Sequence, residues 1–240
     1  MRVALFVTCL GDLVAPEVGV AAARVLQRAG HEVIFPEGQT CCGQPAFNSG
    51  QREEAAKVLR ATLRALAGAR ADAYVAPAGS CTTMIRTFAR QLVDSPDLEY
   101  VAPRLFELSE FLAAHGGSLA GRVAPRRVAY HDSCHMLREL GLERESRAAL
   151  GRLEGVELVD WDAGRCCGFG GTFAVRQPEL SVAMADEKLR TLDGATTVCG
   201  ADPSCLMHLR GRLRKLGRDV EVRHLAELLE EGTRGDAPRA

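Results

Sequence analysis

Eight of the nine cysteines in this 240-residue chain fall into two sets with the same internal spacing. Each set contains a lone cysteine, an adjacent pair and a last cysteine: Cys9, Cys41, Cys42 and Cys81, then Cys134, Cys166, Cys167 and Cys205. In both sets 31 residues separate the lone cysteine from the pair, and 38 or 37 residues separate the pair from the last cysteine. Eight thiols that served only as small core residues would not require this rule, so the spacing indicates a duplicated unit.

Four thiolates that converge on one point can bind a tetrahedral zinc ion or an iron-sulfur cluster. Structural zinc sites usually contain short Cys-x2-4-Cys segments, and neither set contains one. Adjacent cysteines suit a cluster better, because they can reach two different irons. Gly43 and Gly168 follow the pairs and let the backbone turn toward the sulfur atoms. We expect the cysteines to bind one or two iron-sulfur clusters of the [4Fe-4S] type, with zinc as the alternative.

Three histidines lie near the second set of cysteines. His131 and His135 flank Cys134, and His208 lies about one helical turn beyond Cys205. Histidine is a common metal ligand, so each is a candidate. Because four thiolates already complete a set, we expect His131 and His135 to form hydrogen bonds around the ligands rather than to bind the metal.

Four further residues have weaker signals. Cys199 has no counterpart in the first half and ends an apolar segment, which predicts a core cysteine, with a spare ligand as the alternative. Asp132 is predicted to cap the helix that starts near the second lone cysteine. Arg138 and Arg176 either offset the charge of a cluster or face solvent. No residue is identified as catalytic, and there is no flavin or nicotinamide motif.

The segments around the cysteines alternate between predicted strands and helices. Strands are predicted at 2–5, 31–35, 73–76, 127–131, 156–159 and 196–199, and helices at 15–29, 50–66, from 81, 134–150, 178–190 and from 203. Each half closes with a leucine-rich segment, 105–114 or 225–230. This order predicts an α/β fold of two tandem, pseudo-symmetric units with parallel sheets. The cysteines would then lie at the C-terminal ends of strands, where such sheets place their ligand sites.

The repeat also predicts the domain boundaries. The first unit spans residues 1–117 and the second spans 124–235, with a Gly- and Pro-containing linker from Gly116 to Arg126. The polar tail from Gly232 to Ala240 is expected to be frayed.

Charge and the N-terminal segment limit the classes of partner. The formal net charge is -1, with acidic and basic residues mixed, which argues against nucleic acid as a partner. Asp12 and Glu17 interrupt the apolar N-terminal stretch, so a buried strand and helix fit it better than a leader or a membrane span. We expect a cytoplasmic protein without membrane insertion, where a reducing environment favours metal ligands over disulfides.

The doubled Cys-Cys-Gly words and their flanking cysteines resemble the CCG family of cysteine-rich iron-sulfur proteins. The segments Tyr130-His131-Asp132-Ser133-Cys134-His135 and Ala201-Asp202-Pro203-Ser204-Cys205-Leu206 add to the resemblance. Relatives include the cysteine-rich component of heterodisulfide reductase and the iron-sulfur component of glycolate oxidase. The resemblance implies an iron-sulfur electron-transfer component of an L-lactate or other 2-hydroxy acid oxidation system, one part of a complex rather than a self-sufficient enzyme. Its implied partners are companion lactate-utilisation proteins B and C or a hydroxy-acid dehydrogenase.

One departure from the family pattern bears on the chemistry. In the cysteine-rich component of heterodisulfide reductase, each repeat ends in Cys-x-x-Cys, which supplies a fifth thiolate for disulfide chemistry. Here Ala78 stands three residues before Cys81, and Asp202 three residues before Cys205. Four thiolates in each half favour an electron carrier. A cluster-based heterodisulfide or thiol reductase and a zinc-binding structural module remain the alternatives.

Overall fold

The first half of the chain folds around a four-stranded parallel sheet. The computed structural model describes residues 1–117 and 119–236. The strands are β1 (Arg2–Leu5), β2 (Glu32–Ile34), β3 (Ala73–Ala76) and β4 (Leu105–Glu107), in the order β2-β1-β3-β4. The central strand β1 pairs on both sides, since Val3 lies opposite Val33 of β2 and Ala73 of β3.

The second half repeats this sheet. Its strands are β5 (Gly121–His131), β6 (Leu153–Leu158), β7 (Thr197–Gly200) and β8 (Glu221–His224), in the order β6-β5-β7-β8. All neighbouring strands are parallel. The predicted α/β fold of two similar units with parallel sheets is confirmed.

Helices connect the strands in the same order in both halves. The first half contains α1 (Cys9–Val14), α2 (Pro16–Arg28), α3 (Gln44–Asn48), α4 (Arg52–Gly68), α5 (Gly79–Thr83), α6 (Pro96–Val101) and α7 (Leu108–His115). The second contains α8 (Glu145–Leu150), α9 (Phe173–Arg176), α10 (Pro178–Leu189), α11 (Pro203–Lys215) and α12 (Leu225–Thr233). Wider π turns occur at Met84–Phe88 and His135–Leu140, and 3-10 turns at Ala89–Gln91, Ala102–Arg104 and Arg234–Asp236.

The long helices form because their apolar residues recur on one face. In α4, Leu59, Leu63 and Leu66 are spaced by four and three residues, and all three are fully buried. Pro16 begins α2, where its missing N–H costs nothing, and Gly30 follows α2 with a φ of +85°. Within the described part of the chain, no helix has the length and apolar character needed to cross a membrane.

Several local predictions differ from the structure. The helix expected over 134–150 is interrupted, because Gly141 adopts a left-handed φ of +69° and ends the π turn before α8. The predicted linker is strand from Gly121 onward, and Ser118 within it lies outside the described residues. In the predicted tail, Gly232 and Thr233 complete α12, while residues 237–240 lie outside the described residues.

The two halves share a hydrophobic core. Val25 and Leu26 of α2, Val128 of β5, and Leu225 and Leu229 of α12 belong to one buried cluster. Each half also has a separate cluster on the other face of its sheet. The shared cluster holds α2 against α12, so one unit is packed directly on the other.

Candidate metal centre

The eight repeated cysteines lie in the segments that follow strands. Cys9 begins α1 after β1, the first pair lies between β2 and α3, and Cys81 lies in α5 after β3. Their counterparts occupy the same places after β5, β6 and β7. Because neighbouring parallel strands end at the same edge of a sheet, each set of four is brought together.

Both sets line one cavity. The cavity has a volume of about 110 Å³, and all eight cysteines contribute to its wall. Gln44 of the first half and His135 and Asp202 of the second also line it. The sequence predicts two sites, one in each half, and the tertiary structure places these two sets of thiols around a common space.

The first cysteine loop is held tightly against α4. The Sγ atoms of Cys42 and Cys81 are 3.3 Å apart, and the backbone N–H of Gly43 donates to Sγ of Cys41 at 3.4 Å. Gly43 has a φ of +86°, and a Cβ atom there would lie 2.8 Å from the carbonyl oxygen of Ala55. Glycine is therefore required at this position by conformation and by space.

The second cysteine loop has the same geometry. The N–H of Gly168 donates to Sγ of Cys166 at 3.4 Å, and the N–H of Phe169 donates to Sγ of Cys167 at 3.5 Å. Gly168 has a φ of +87°, and a Cβ atom there would overlap the carbonyl oxygen of Ser181. Backbone donors directed at thiolate sulfur stabilise negative charge on the ligand.

The first cysteine of each pair is the acidic one. The pKa of Cys41 is lowered to about 3 because the thiols of Cys42 and Cys9 donate to its sulfur. The pKa of Cys166 is lowered to about 2 by the thiols of Cys134 and Cys167. These donors have raised pKa values in turn, because each shares its proton with the thiolate. Each set thus stabilises a thiolate, which is the form that binds soft metals.

The donor set fits a metal centre. All nine cysteines are free thiols, and four of them converge in each half without an intervening disulfide. Four soft sulfur donors suit zinc or an iron-sulfur cluster, and hard cations prefer oxygen. The site can therefore hold a thiolate-bound metal centre.

His131 is grouped with two cysteines of the second set at distances at which the three side chains could bind one metal ion. It is 1% exposed, and a ring nitrogen lies within 4.8 Å of the sulfur atoms of Cys167 and Cys205. Neither ring nitrogen has a hydrogen-bond partner among the described residues. Burial, with a contribution from the charge of Lys188, lowers the pKa of His131 to about 3. The ring is therefore neutral and can offer a nitrogen lone pair or an N–H toward the second set.

The other two histidines contact the cysteine loops. His135 Nδ1 lies 3.7 Å from Sγ of Cys134, and its Nε2 lies 3.2 Å from the side-chain nitrogen of Gln44 across the boundary between the halves. His208 Nε2 lies 3.3 Å from the hydroxyl of Ser181, which donates to the carbonyl of Gly168. Both rings therefore support the loops around the cavity.

Comparison with known families matches the two halves separately. The model of the CCG cysteine-rich domain matches residues 3–86 and again residues 128–210. The chain belongs to the CCG family. Lactate utilization protein A of Exiguobacterium sp. (strain ATCC BAA-1283 / AT1b) is 43% identical over 241 residues, which cover 97% of this chain and 98% of the relative.

A second relative of this CCG protein has the same name and a similar identity. Lactate utilization protein A of Geobacillus kaustophilus (strain HTA426) is 43% identical over 242 residues, covering 95% of this chain and 98% of the relative. Among solved structures, an aspartate racemase homologue from Pyrococcus horikoshii OT3 is 15% identical and covers 95% of both chains, with a TM-score of 0.36. A score this low carries no argument. The predicted family membership is confirmed by the sequence relatives.

Four predicted residues lie away from the cavity wall. Cys199 is fully buried in β7, where burial raises its pKa, so it is a core cysteine. Asp132 does not cap a helix. Both of its carboxylate oxygens accept hydrogen bonds from the guanidinium group of Arg147, each at 2.7 Å, so the carboxylate is already occupied. Arg138 and Arg176 are exposed. None of these four side chains lines the cavity between the CCG loops.

Two residues of the CCG repeats have roles that the sequence did not reveal. Asp202 is 2% exposed and accepts hydrogen bonds from the N–H of Ser80 at 2.9 Å and the N–H of Ser204 at 3.3 Å. Lys188 is fully buried beside the second loop. A polar residue within an amphipathic helix is normally exposed, so no local pattern marks Lys188 as buried.

Proposed function

We propose that the protein is an iron-sulfur electron-transfer component of an L-lactate, or other 2-hydroxy acid, oxidation system. The observation that carries the proposal is the pair of four-thiol sets that line one cavity. The names of the relatives, Lactate utilization protein A, supply the metabolic context. A cluster bound there would accept and release one electron at a time.

The proposed ligands are the eight repeated cysteines. The sulfur atoms of Cys41 and Cys166 would carry negative charge before metal binds, since hydrogen bonds from neighbouring thiols lower their pKa values well below the usual range. The N–H groups of Gly43 and Gly168 donate to the same two sulfur atoms and would favour the reduced state of a bound cluster. His135, whose Nδ1 lies 3.7 Å from Sγ of Cys134, and His131, whose ring nitrogens have no partner among the described residues, are proposed to form hydrogen bonds around these ligands when the centre is bound.

The proposal includes the boundaries of the two repeats, the location of the protein and its partners. We assign one CCG repeat to residues 1–117 and the other to 124–235, in a cytoplasmic component of a larger system. Its proposed partners are companion lactate-utilisation proteins B and C or a hydroxy-acid dehydrogenase, which would oxidise the substrate. Neither nucleic acid nor membrane insertion belongs to this function.

The shared cavity favours a cluster-based thiol or heterodisulfide reductase as the second candidate. A small disulfide inside a space of about 110 Å³ would be close to both sets. The residues at the two fifth-ligand positions weigh against it. Ala78 offers no ligand atom, and the carboxylate of Asp202 is already engaged by three hydrogen bonds.

The test is metal analysis of anaerobically purified protein. We expect brown protein with about four irons and four sulfides per occupied set. Cys9→Ser and Cys134→Ser should each remove the iron of one set. Cys199→Ala is the matched control, because this buried cysteine lies outside the cavity wall and its loss should leave the iron content unchanged.

Three results would count against the proposal. Zinc at one ion per set without iron or sulfide would favour a structural module. Colourless folded protein that binds neither metal would exclude a cluster. Reduction of a heterodisulfide by the isolated protein with an artificial electron donor would favour the reductase.

A further inference from the structure

The second set of cysteines has a buried lysine beside it. Lys188 of α10 is fully buried, and its Nζ donates to the carbonyl oxygens of Asp162 at 2.7 Å and Ala163 at 2.9 Å. The same Nζ lies 4.0 Å from the centre of the Trp161 ring. Two carbonyl oxygens and an aromatic face are the partners that a buried ammonium group requires.

The charge of Lys188 is not neutralised by an acid. The two carboxylates whose charges act on Lys188 have their own cations, since Asp132 pairs with Arg147 and Asp162 pairs with Arg165. Within residues 1–117 and 119–236, no carboxylate oxygen forms an ion pair with Lys188. The lysine therefore contributes a net positive charge to this region.

Lys188 acts on the second cysteine set through space. Burial lowers the pKa of Lys188, the nearby Cys167 partly opposes this effect, and the resulting pKa is about 8. The amine is therefore charged at neutral pH. Neighbouring contacts connect the lysine to this set: Nζ lies 4.0 Å from the centre of the Trp161 ring, the rings of Trp161 and His131 are 6.4 Å apart, and a His131 nitrogen lies within 4.8 Å of Sγ of Cys167. A charge in such a poorly solvated place acts strongly over short distances.

The first half has a neutral residue at the matching place. Gly43 contacts Ala55 of α4, and Gly168 contacts Ser181 of α10, which aligns the two helices. In this alignment Thr62 corresponds to Lys188. The Thr62 hydroxyl donates to the carbonyl of Cys41 at 2.8 Å, so it anchors its cysteine loop as Lys188 anchors the other, but without charge.

Two further residues near the cysteines, His131 and Asp202, also bear on the difference between the sets. The strand register aligns Val3 with Val128, so His131 corresponds to Phe6, a fully buried apolar residue. Asp202 acts in the opposite sense to Lys188, because its negative charge adds to the hydrogen bond to Cys166 and to burial in raising the pKa of Cys134 in the second set. Its oxygens nevertheless accept hydrogen bonds from Ser80 of the first half as well as Ser204 of the second. At these two matched places the first set has the uncharged Thr62 and Phe6, whereas the second has the buried cation Lys188 and the polar, neutral His131.

We propose that Lys188 makes the two cysteine sets electrostatically unequal, so that the second set holds an added electron more tightly than the first. The proposal rests on the proposed iron-sulfur function. A fixed positive charge stabilises the reduced, more negative state of a nearby centre and therefore raises its reduction potential. The direction of the difference is set by this chain's own residues.

The experiment is a potentiometric titration of the anaerobically purified full chain, followed by electron paramagnetic resonance, after iron and sulfide have been counted. The wild type should titrate in two unequal steps. Cys134→Ser should remove the step at higher potential and Cys9→Ser the step at lower potential. This assignment requires no substitution at Lys188, so it decides the direction even if a lysine variant fails to fold.

Three variants then test the lysine itself. Lys188→Met should lower the higher potential, with at least a tenfold change in the reduction equilibrium of that centre, which corresponds to about 59 mV for one electron. Lys188→Arg, which retains the charge, should keep the higher potential. Thr62→Val is the matched control, because it removes a loop-anchoring hydrogen bond without changing charge, and it should leave the higher step in place.

The failures of the two proposals are distinguishable. Iron-loaded protein with two equal steps, or with the higher step lost in Cys9→Ser, would overturn the inference while the iron-sulfur function stands. Unchanged potentials in folded Lys188→Met would do the same. Protein without iron or sulfide would overturn the proposed function and the inference together.

Discussion

The carboxylate of Asp202 bridges the two halves of the molecule, because its Oδ2 accepts a hydrogen bond from the backbone N–H of Ser80 at 2.9 Å. Its Oδ1 accepts from the N–H and the hydroxyl of Ser204, at 3.3 and 2.6 Å. One buried side chain thus joins the beginning of α5, which carries Cys81, to the beginning of α11, which carries Cys205.

Asp202→Ala should destabilise the protein by about 3 kcal/mol, since it removes a helix cap and leaves the partly buried N–H of Ser80 without this partner. Urea unfolding measures this loss. Ser95→Ala is the matched control, because Ser95 caps α6 with a single bond to the N–H of Leu98, and its loss should cost about 1 kcal/mol. Equal losses in the two variants would contradict the bridging role of Asp202.

Alanine should be tolerated unequally at three glycines with positive φ. Gly171→Ala requires only a left-handed backbone, because no neighbouring atom of residues 1–117 or 119–236 lies within 4 Å of its Cβ position, and should cost about 1 kcal/mol. Gly43→Ala adds a close contact with Ala55, and Gly168→Ala adds an overlap with Ser181, so both should cost more. Unfolding free energy and iron content per chain measure the order, and a Gly171→Ala loss as large as that of Gly168→Ala would contradict it.

Two helix caps at matching places should respond to pH in opposite directions. His224 caps α12 by accepting from the N–H of Ala226, and burial lowers its pKa from 6.5 to about 4. Glu107 caps α7 by accepting from the N–H of Ser109, and burial raises its pKa from 4.5 to about 7. Between pH 4 and pH 6.5 His224 is thus neutral in the folded state and protonated in the unfolded chain. Between pH 4.5 and pH 7 Glu107 is protonated in the folded state and ionised in the unfolded chain.

The free energy of unfolding should therefore decrease through His224 as the pH falls from 6.5 to 4. It should decrease through Glu107 as the pH rises from 4.5 to 7. Each slope should approach about 1.4 kcal/mol per pH unit. His224→Asn, which keeps a capping oxygen, should reduce the loss of stability below pH 6.5, to which the buried His131 also contributes, and Glu107→Gln should reduce the loss above pH 4.5. Urea unfolding between pH 4 and pH 8 measures both, and wild-type pH dependence in either variant would show that its residue does not titrate in this way.

Glu230 should be the most costly acidic residue to neutralise at the contact between α2 and α12. Its side chain is 6% exposed and pairs with Arg28 at 3.1 Å and Arg234 at 2.8 Å, and Arg234 followed by Arg28 lowers its pKa to about 2. Glu230→Gln should cost about 2 kcal/mol at pH 7, since Arg28 would lose its partner in a mostly buried place. Thermal unfolding measures this loss.

The control for Glu230 is an exposed ion pair. Glu99 pairs with Arg90 with both side chains more than half exposed, so Glu99→Gln should cost less than about 1 kcal/mol. A loss at Glu230 no larger than this would show that the ion pairs do not help to hold the halves together.

Much of the fold follows from local patterns. The strand at 73–76 is predicted with its observed bounds, because a short apolar run between polar turns has few alternatives. The fourth strands, Leu105–Glu107 and Glu221–His224, are not predicted, because three or four residues are too few to show a period. The helix expected over 134–150 is interrupted, because the left-handed turn at Gly141 outweighs the helical pattern on either side of it.

The sequence by itself determined the number of candidate ligands, their division into two sets of four and their placement after strands, because spacing and periodicity are properties of the chain. Only the tertiary structure decided that both sets line one cavity, that Asp202 joins the helices of their last cysteines, and that Lys188 is buried beside the second set. The first two relationships depend on how the halves pack on each other, and the third depends on how α10 packs against the loop that contains Trp161, Asp162 and Ala163. Such packing joins residues far apart in sequence, and no local pattern specifies it.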